Sequence, residues 1–432
     1  MKALSVTNIN NENNSNSINK ASRSASAIER WAKRIVLSRL QQFTQSALVI
    51  EDGKDRYSFG LNASSEEHYL EAHIVIHDIS VYRDLLFNGT TGAGEAYMRG
   101  DWTSPDLVSV IRVMCQNMDA LYRFNSGWAK LSHVFSDIKH RLRINNKKNA
   151  RRNISAHYDL GNDFFSLFLD KTMMYSSAIY PRSDTSLEEA ASYKLEHICQ
   201  RLKLSSADHL LEIGTGWGGM AIHAAKYHGC RVTTTTISKE QHAHAVNAVK
   251  AEGLEDKITV LLDDYRDLEG QFDKLVSIEM IEAVGSQYYP AYFSTCSRLL
   301  KKDGLMLIQA ITMPDQRYQQ TSDSADFIQL YIFPGGHLPC PSIMAKHVAN
   351  DTDMQIVGIE DITLDYARTL EDWRQCFFDK LSDVKSLGYD DLFIRMWDFY
   401  LAYCEGGFRE RTIGTMQMLM AKPRCLDLPA VN

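Results

Sequence analysis

The sequence predicts an α/β fold: a Rossmann-like, mostly parallel sheet with crossover helices, preceded by a smaller N-terminal α+β domain. Three observations predict it. From Ala207 onward, apolar runs of strand length alternate with amphipathic runs of helix length. One apolar run, His209 to Ile213, enters Gly214-Thr215-Gly216-Trp217-Gly218-Gly219, and helical spacing starts inside that turn with Trp217, Met220, Ala221, Ala224 and Ala225. Before residue 130 the pattern is different, with short β-rich runs, turn signals and two helical stretches.

Taken in order, residues 1–25 are Asn/Ser-rich and too polar to offset their ordering entropy, so a disordered tail is expected. An amphipathic helix is expected from Ile28 to Ala47. It opens a small accessory domain, 26–138. There Leu48-Val49-Ile50 before Glu51-Asp52-Gly53 reads as strand and turn, and Tyr69 to Ile76 reads as a second strand. The stretch Gly92 to Trp102 then leads to a helix with Leu107, Val110, Ile111 and Met114 on one face. Residues 139–152 form a basic linker: Lys139, Arg141, Arg143, Lys147, Lys148, Arg151 and Arg152, with no acid. Such a run is either a solvated linker or a patch for anionic lipid head groups.

The second domain, 153–432, begins with a polar and aromatic stretch, His157 to Phe165 and Met173 to Ala178, placed to cover a pocket from outside the sheet. A helix is expected over 186–204. Strands follow at 209–214, 231–237, 258–263, 273–280 and 305–312, with helices at 217–228, 239–252 and 286–300. In such a sheet ligands bind at the carboxyl ends of the strands. Gly214 to Gly219, Thr236 to Gln241, Asp264-Tyr265, Glu279 to Glu282 and Gln309 to Ile311 should therefore converge. An insertion, 312–342, carries aromatics and Pro334-Gly335-Gly336; it reads as an apolar lid or acyl-chain wall, or as core. Tyr366 shares an apolar helix face with Leu370, Trp373 and Phe377.

The glycine turn suits two ligands, a dinucleotide or S-adenosylmethionine (SAM). Glu212, two residues before Gly214, would oppose a pyrophosphate and suit the cationic methionine end of SAM. The next strand ends in Thr236-Ile237-Ser238 with Gln241 beyond, without the acid that a NAD ribose wants. The acid–x–Gly–x–Gly–x–Gly pattern, with Gly214, Gly216 and Gly218, resembles the SAM turn of class I SAM-dependent methyltransferases.

Bulk properties narrow the function. The 432 residues are 44% hydrophobic and 23% charged, ordinary for a globular protein. No stretch approaches a membrane span and no secretory leader is visible. The net charge of −7 argues against nucleic acid. Eight cysteines without a Cys-x-x-Cys pair fit reduced thiols in a cytoplasm, and the fourteen histidines show no metal spacing.

The stretches His157–Phe165, Tyr175–Ala178, Glu212–Gly219, Thr236–Gln241, Asp264–Leu268 and Phe327–Gly336 resemble the cyclopropane-fatty-acyl-phospholipid synthase family, to which the mycolic acid cyclopropane synthases are related. Gly94 to Trp102 resembles that family's N-terminal domain, so the resemblance runs from about residue 45 to the end. It implies transfer of a methylene from SAM to a cis double bond of a phospholipid acyl chain. The alkene attacks the methyl, a carbocation forms, and a bound bicarbonate removes the proton. The set implied to hold that anion is Ser177, Glu282, Gln309, Ile311 and Tyr366. Ser177 stands where many members have Cys, and Gln309 where many have His. Cys404 matches a cysteine often named as active, although it has no activating neighbour in sequence. SAM contacts are implied at Tyr175, Ser176, Gly214, Gly216, Thr236, Ser238, Gln241, Asp264 and Tyr265, with Tyr158 closing the pocket. The expected partner is the inner face of a phospholipid membrane, bound peripherally, with a homodimer as a further expectation. Two other readings stay open: a product carrying a methyl branch or methylene, and a non-catalytic lipid-binding protein.

Overall fold

The computed structural model describes residues 25–60, 70–121, 160–321 and 326–429. The expected tail up to residue 24, the basic linker 139–152 and Tyr158 lie outside them. The first helix, α1 (Ala27–Leu40), is shorter than expected because its last turn gives way to strand β1 (Ala47–Asp52). A reciprocal cap fixes its start: Ser26 Oγ accepts from Glu29 N, and Glu29 Oε2 accepts from Ser26 N.

β1 turns at Gly53 into β2 (Asp55–Gly60), which carried no sequence signal because only Phe59 on it is buried. β3 (Glu71–Ile76) pairs parallel to β1, and β4 (Trp102–Thr103) closes a sheet of order β2-β1-β3-β4. Between β3 and β4 runs α2 (Ser80–Met98), kinked at Gly89. Its glycines mark close packing. A Cβ on Gly94 would lie 2.6 Å from the Phe327 ring and 2.9 Å from the Phe399 ring. Next comes α3 (Leu107–Gln116), capped by Asp106.

The second sheet has seven strands in the order β10-β11-β9-β8-β5-β6-β7. Its five parallel strands are β5 (His209–Ile213), β6 (Arg231–Thr235), β7 (Ile258–Leu261), β8 (Phe272–Ile278) and β9 (Leu300–Thr312). All five were predicted. The chain builds β5, β6 and β7 outward, then returns to place β8 on the other side of β5. That reversal is the switch point where such sheets open a ligand crevice. Around it pack α4 (Leu187–Arg201), α5 (Gly219–His223), α6 (Lys239–Ala251) and α7 (Tyr289–Leu299).

After β9 come α8 (Asp315–Thr321), α9 (Phe327–Tyr331) and α10 (Pro341–Asp351). Then β10 (Gln355–Asp361), α11 (Thr363–Asp379), α12 (Leu381–Ser386), α13 (Asp391–Arg409) and β11 (Gly414–Ala421) complete the chain. β11 runs antiparallel beside β9 and brings Gln417 opposite Gln309. α13 packs on both α2 and α3. One apolar cluster accordingly runs from Leu48 and Ile50 in the first sheet through Phe399 and Trp397 to Trp373 and Phe164. The N-terminal sheet therefore shares its core with the C-terminal helices.

Candidate active site

The crevice at the end of β5 is made largely of backbone. Gly214, Gly216 and Gly218 all have positive φ, at 101°, 53° and 97°, a conformation that only glycine adopts cheaply. A Cβ on Gly214 would crowd the Met280 side chain at 3.3 Å, whereas one on Gly216 would project into open space. That space is a cradle a ligand can enter. Gly218 differs: it caps α5, and a Cβ on it would meet Ala245 of α6 at 3.4 Å. Glu212 is buried at the strand end, accepts from Thr234 Oγ1 at 2.6 Å, and is pushed up to about 8 by burial.

The end of β6 is an interlocked trio. Thr236 Oγ1 donates to Gln241 Oε1 and accepts from Ser238 N, while Ser238 Oγ caps α6 at Gln241 N. Thr236 and Gln241 line the cavity, and Ser238 beside them caps α6. Asp264 holds Arg266, whose Nε and Nη2 donate to its two oxygens at 2.8 and 2.6 Å. Its carboxylate is thus occupied by a guanidinium in this structure. Tyr265 lines the cavity beside it.

The end of β8 is made of side chains from far apart in sequence. Glu279, one residue past the strand, is partly buried and has φ of 48°, strained for a residue with a Cβ. Its Oε1 accepts from Ser177 N at 3.0 Å and Gln309 Nε2 at 2.7 Å. Its Oε2 accepts from Tyr366 Oη at 2.8 Å. Gln417 Nε2 donates to Gln309 Oε1 at 3.0 Å, which aims the Gln309 amide at Glu279. Burial raises the Glu279 carboxyl above its usual range; these three donors and the charge of Lys194 pull it back.

Glu282 sits three residues on. Its Oε1 accepts from Ile311 N at 2.5 Å, while Oε2 has no partner among the described residues. Burial, and then the charge of Glu279, push it up to about 8. Two close carboxyls in a dry site are driven apart in protonation. Glu279, with three donors, is the member better placed to hold the charge, and Glu282, without them, keeps its proton more readily. Lys194 of α4, itself fully buried and brought down to about 8 by that burial, donates to Ser176 Oγ at 2.7 Å.

Both strand ends open into one cavity of about 710 Å³. It reaches from Gly216 and Glu279 into the N-terminal domain, where Leu48, Ile50, Ile74 and Ile76 form its wall. Aromatic rings surround the carboxylates. Tyr175 stacks on Trp373 with centroids 5.2 Å apart and shares a 2.8 Å hydroxyl bond with Tyr400, and Tyr366 stacks on Phe408 at 4.5 Å. Cys404 lines the same wall, partly buried, its thiol pushed up by desolvation. A thiol so placed is a poor nucleophile.

The family model for mycolic acid cyclopropane synthetase matches residues 145–418. The chain belongs to the mycolic acid cyclopropane synthetase family. It is 37% identical to tuberculostearic acid methyltransferase UfaA1 of Mycobacterium tuberculosis over 78% of this chain and 79% of that relative. It is 34% identical to the cyclopropane-fatty-acyl-phospholipid synthase of Escherichia coli over 81% of this chain and 88% of that one. Among solved structures, the mycolic acid cyclopropane synthase CmaA1 complexed with SAH and CTAB is 30% identical, with a TM-score of 0.59, covering 63% of this chain and 98% of that one. The protein is thus a SAM-dependent methyltransferase of the cyclopropane-synthase type, within a family of lipid methyltransferases.

SAM fits the crevice: the Gly216 cradle is open, and the Glu212 carboxyl lines it. The bicarbonate expected of the family does not fit its expected set. Gln309 Nε2, Tyr366 Oη and the Ser177 amide are all engaged by Glu279, the Ile311 amide is engaged by Glu282, and Ser177 Oγ donates to Ala178 O. Ser177 and Gln309 are fully buried behind Glu279 and do not face the cavity. They position a carboxylate of the chain instead of an anion.

The sequence brought Glu279 to the right strand end but assigned it no role. Its signal was a charged residue directly after the apolar run Leu275 to Ile278. Lys194 hid on a helix face of apolar spacing. Away from the site, Cys199, His223 and His228 bring ligand-type atoms within 4.8 Å of one another. They gather because α5 runs on as a π-helix, Ala224–His228, which turns two histidines five apart onto one face. Both imidazoles pair with Glu196, at 3.1 and 3.0 Å.

Proposed function

We propose that this enzyme adds the methyl carbon of SAM to the cis double bond of an unsaturated acyl chain on a phospholipid and closes a cyclopropane. One observation carries the reading: a single cavity joins the glycine cradle, the carboxyls of Glu279 and Glu282 and a deep aliphatic arm. An acyl chain fills such an arm without polar partners; a soluble polar substrate would leave its groups unpaired there. The Escherichia coli relative, a cyclopropane-fatty-acyl-phospholipid synthase, supports the phospholipid as carrier.

SAM supplies an electrophilic methyl. The chain's own residues orient, shield and deprotonate. Gly214, Gly216, Thr236 and Gln241 frame the donor, with Glu212 near its cationic end. The rings of Tyr175, Phe333, Tyr366 and Phe408 line the cavity, where aromatic groups would stabilise positive charge developing on the acyl chain. Burial excludes water that would otherwise capture that charge.

A second reading keeps the same carbon–carbon bond but ends in a methylene-bearing chain. It is favoured by the altered set at Ser177 and Gln309, and by similarity to tuberculostearic acid methyltransferase. Mass spectrometry of phospholipids from cells expressing the protein tests both. A gain of one CH2 that resists hydrogenation gives the ring; a gain that takes up hydrogen gives the methylene. No gain overturns the function.

The enzyme would meet its substrate as a peripheral protein, through the basic run 139–152, and among the described residues no helix is long and apolar enough to cross a membrane. Neutralising Arg141, Arg143, Lys147 and Lys148 should weaken co-sedimentation with anionic vesicles at low salt. Equal co-sedimentation of both forms would refute this.

A further inference from the structure

We propose that Glu279 is the catalytic base, a carboxylate fixed in the chain that takes the place of a bound bicarbonate. The inference rests on the methyl-transfer reading above and deepens it. Three observations carry it. First, the Ser177 amide, Gln309 and Tyr366 converge on Glu279, between 2.7 and 3.0 Å from its two oxygens. An anion bound there would need the same three donors, and they are spent. Second, Glu279 holds φ of 48°. A glycine would sit there unstrained, so the side chain is kept against local backbone strain. Third, Glu279 lines the cavity beside Met280 and Glu282, next to Gly214, where the methyl-bearing end of SAM would lie.

The step balances without a further reactant. Once the methyl carbon is joined to the acyl chain, a neighbouring chain carbon is positive. Glu279 accepts one proton from that methyl. The electron pair of the broken C–H bond forms the last ring bond; for a methylene product a hydride first shifts from the methylated carbon to its positive neighbour, and the same electron pair then forms the double bond. The proton then passes to solvent and the carboxylate is restored. Glu282, protonated and with a free Oε2, is the weaker candidate because it begins the step already carrying a proton. Lys194 keeps a positive charge near Glu279 and so favours its ionised form.

The test uses the full chain, phospholipid vesicles with cis-unsaturated acyl chains, and SAM labelled in its methyl group. Turnover is measured in buffer stripped of carbon dioxide and again with bicarbonate added. The wild type should run at the same rate in both. Glu279→Gln should lose roughly 10²–10⁴-fold in turnover, with calorimetric SAM affinity and melting temperature unchanged. Glu279→Gly frees the three donors and relieves the strain; its turnover should be low in stripped buffer and rise saturably with bicarbonate or formate. A wild type active only with bicarbonate overturns the assignment while leaving the methyl-transfer reading intact. Full activity of Glu279→Gly in stripped buffer does the same. A wild type that labels no acyl chain in either buffer overturns the function itself, and Glu279 falls with it.

Discussion

The crevice beside β5 and the carboxylate pocket beside β8 open at the ends of adjacent strands, yet they are built by opposite means. The first is backbone: three glycines at positive φ within five residues, from Gly214 to Gly218, with Glu212 just before them. The second is side chain: Ser177, Glu279, Gln309, Tyr366 and Gln417 come from separate elements and meet through hydrogen bonds. A site made of backbone is encoded in one short stretch and depends on local torsions. A site made of converging side chains depends on every strand and helix that delivers a member. The first should fail abruptly under a single added side chain. The second should weaken in steps as donors are removed.

The largest effect is expected at Gly216. Gly216→Val places a β-branched side chain at φ of 53° and into the open cradle. SAM affinity should fall beyond calorimetric detection while the far-ultraviolet circular dichroism is retained. Normal affinity would show that the cradle is not the SAM site.

A smaller effect is expected at Tyr366. Tyr366→Phe keeps the ring on Phe408 but removes one donor from Glu279. A hydrogen bond to a charged group is worth about 1.5–3 kcal/mol, so turnover should fall about 10–100-fold. SAM affinity should not change. The lost donor had lowered the Glu279 carboxyl. Its removal should therefore move the acid limb of the pH–rate profile to higher pH, since the base must be ionised. A limb that stays in place, or moves to lower pH, would contradict the pairing.

The smallest effect is on stability at Glu282. In the folded chain its carboxyl is raised from 4.5 to about 8. A raised acid favours the folded state while protonated. That contribution is full below the ordinary value, fades as pH rises, and is lost above the folded value. The stability of wild type relative to Glu282→Gln should thus fall as pH rises from about 4.5 to about 8. Urea unfolding of both forms across that range measures it. A constant difference would mean that Glu282 is not held protonated.

The five parallel strands and the glycine turn were legible because each leaves a local trace: an apolar run of strand length, or glycines where φ is positive. β2, with one buried side chain, left almost none. α2 was obscured by glycines at 89, 92 and 94, which read as loop chemistry but serve a kink and close contact with Phe327 and Phe399. Ser177 and Gln309 were found as site residues, but their direction was not. Whether an amide or a hydroxyl points at the cavity or at a neighbour depends on what else is buried beside it.

By itself, the sequence determined the parallel sheet, the SAM-type turn and the family, because each is written in consecutive residues with a fixed physical period. Only the tertiary structure decided what the donors of the pocket hold. Glu279 and Gln309 are 30 positions apart, and Tyr366 lies 87 beyond Glu279. They meet because β8 and β9 pair in parallel, α11 lies across the strand ends, and β11 returns antiparallel to fix the Gln309 amide through Gln417. A buried carboxylate is governed by the donors that reach it, and that reach is a property of packing, not of spacing along the chain.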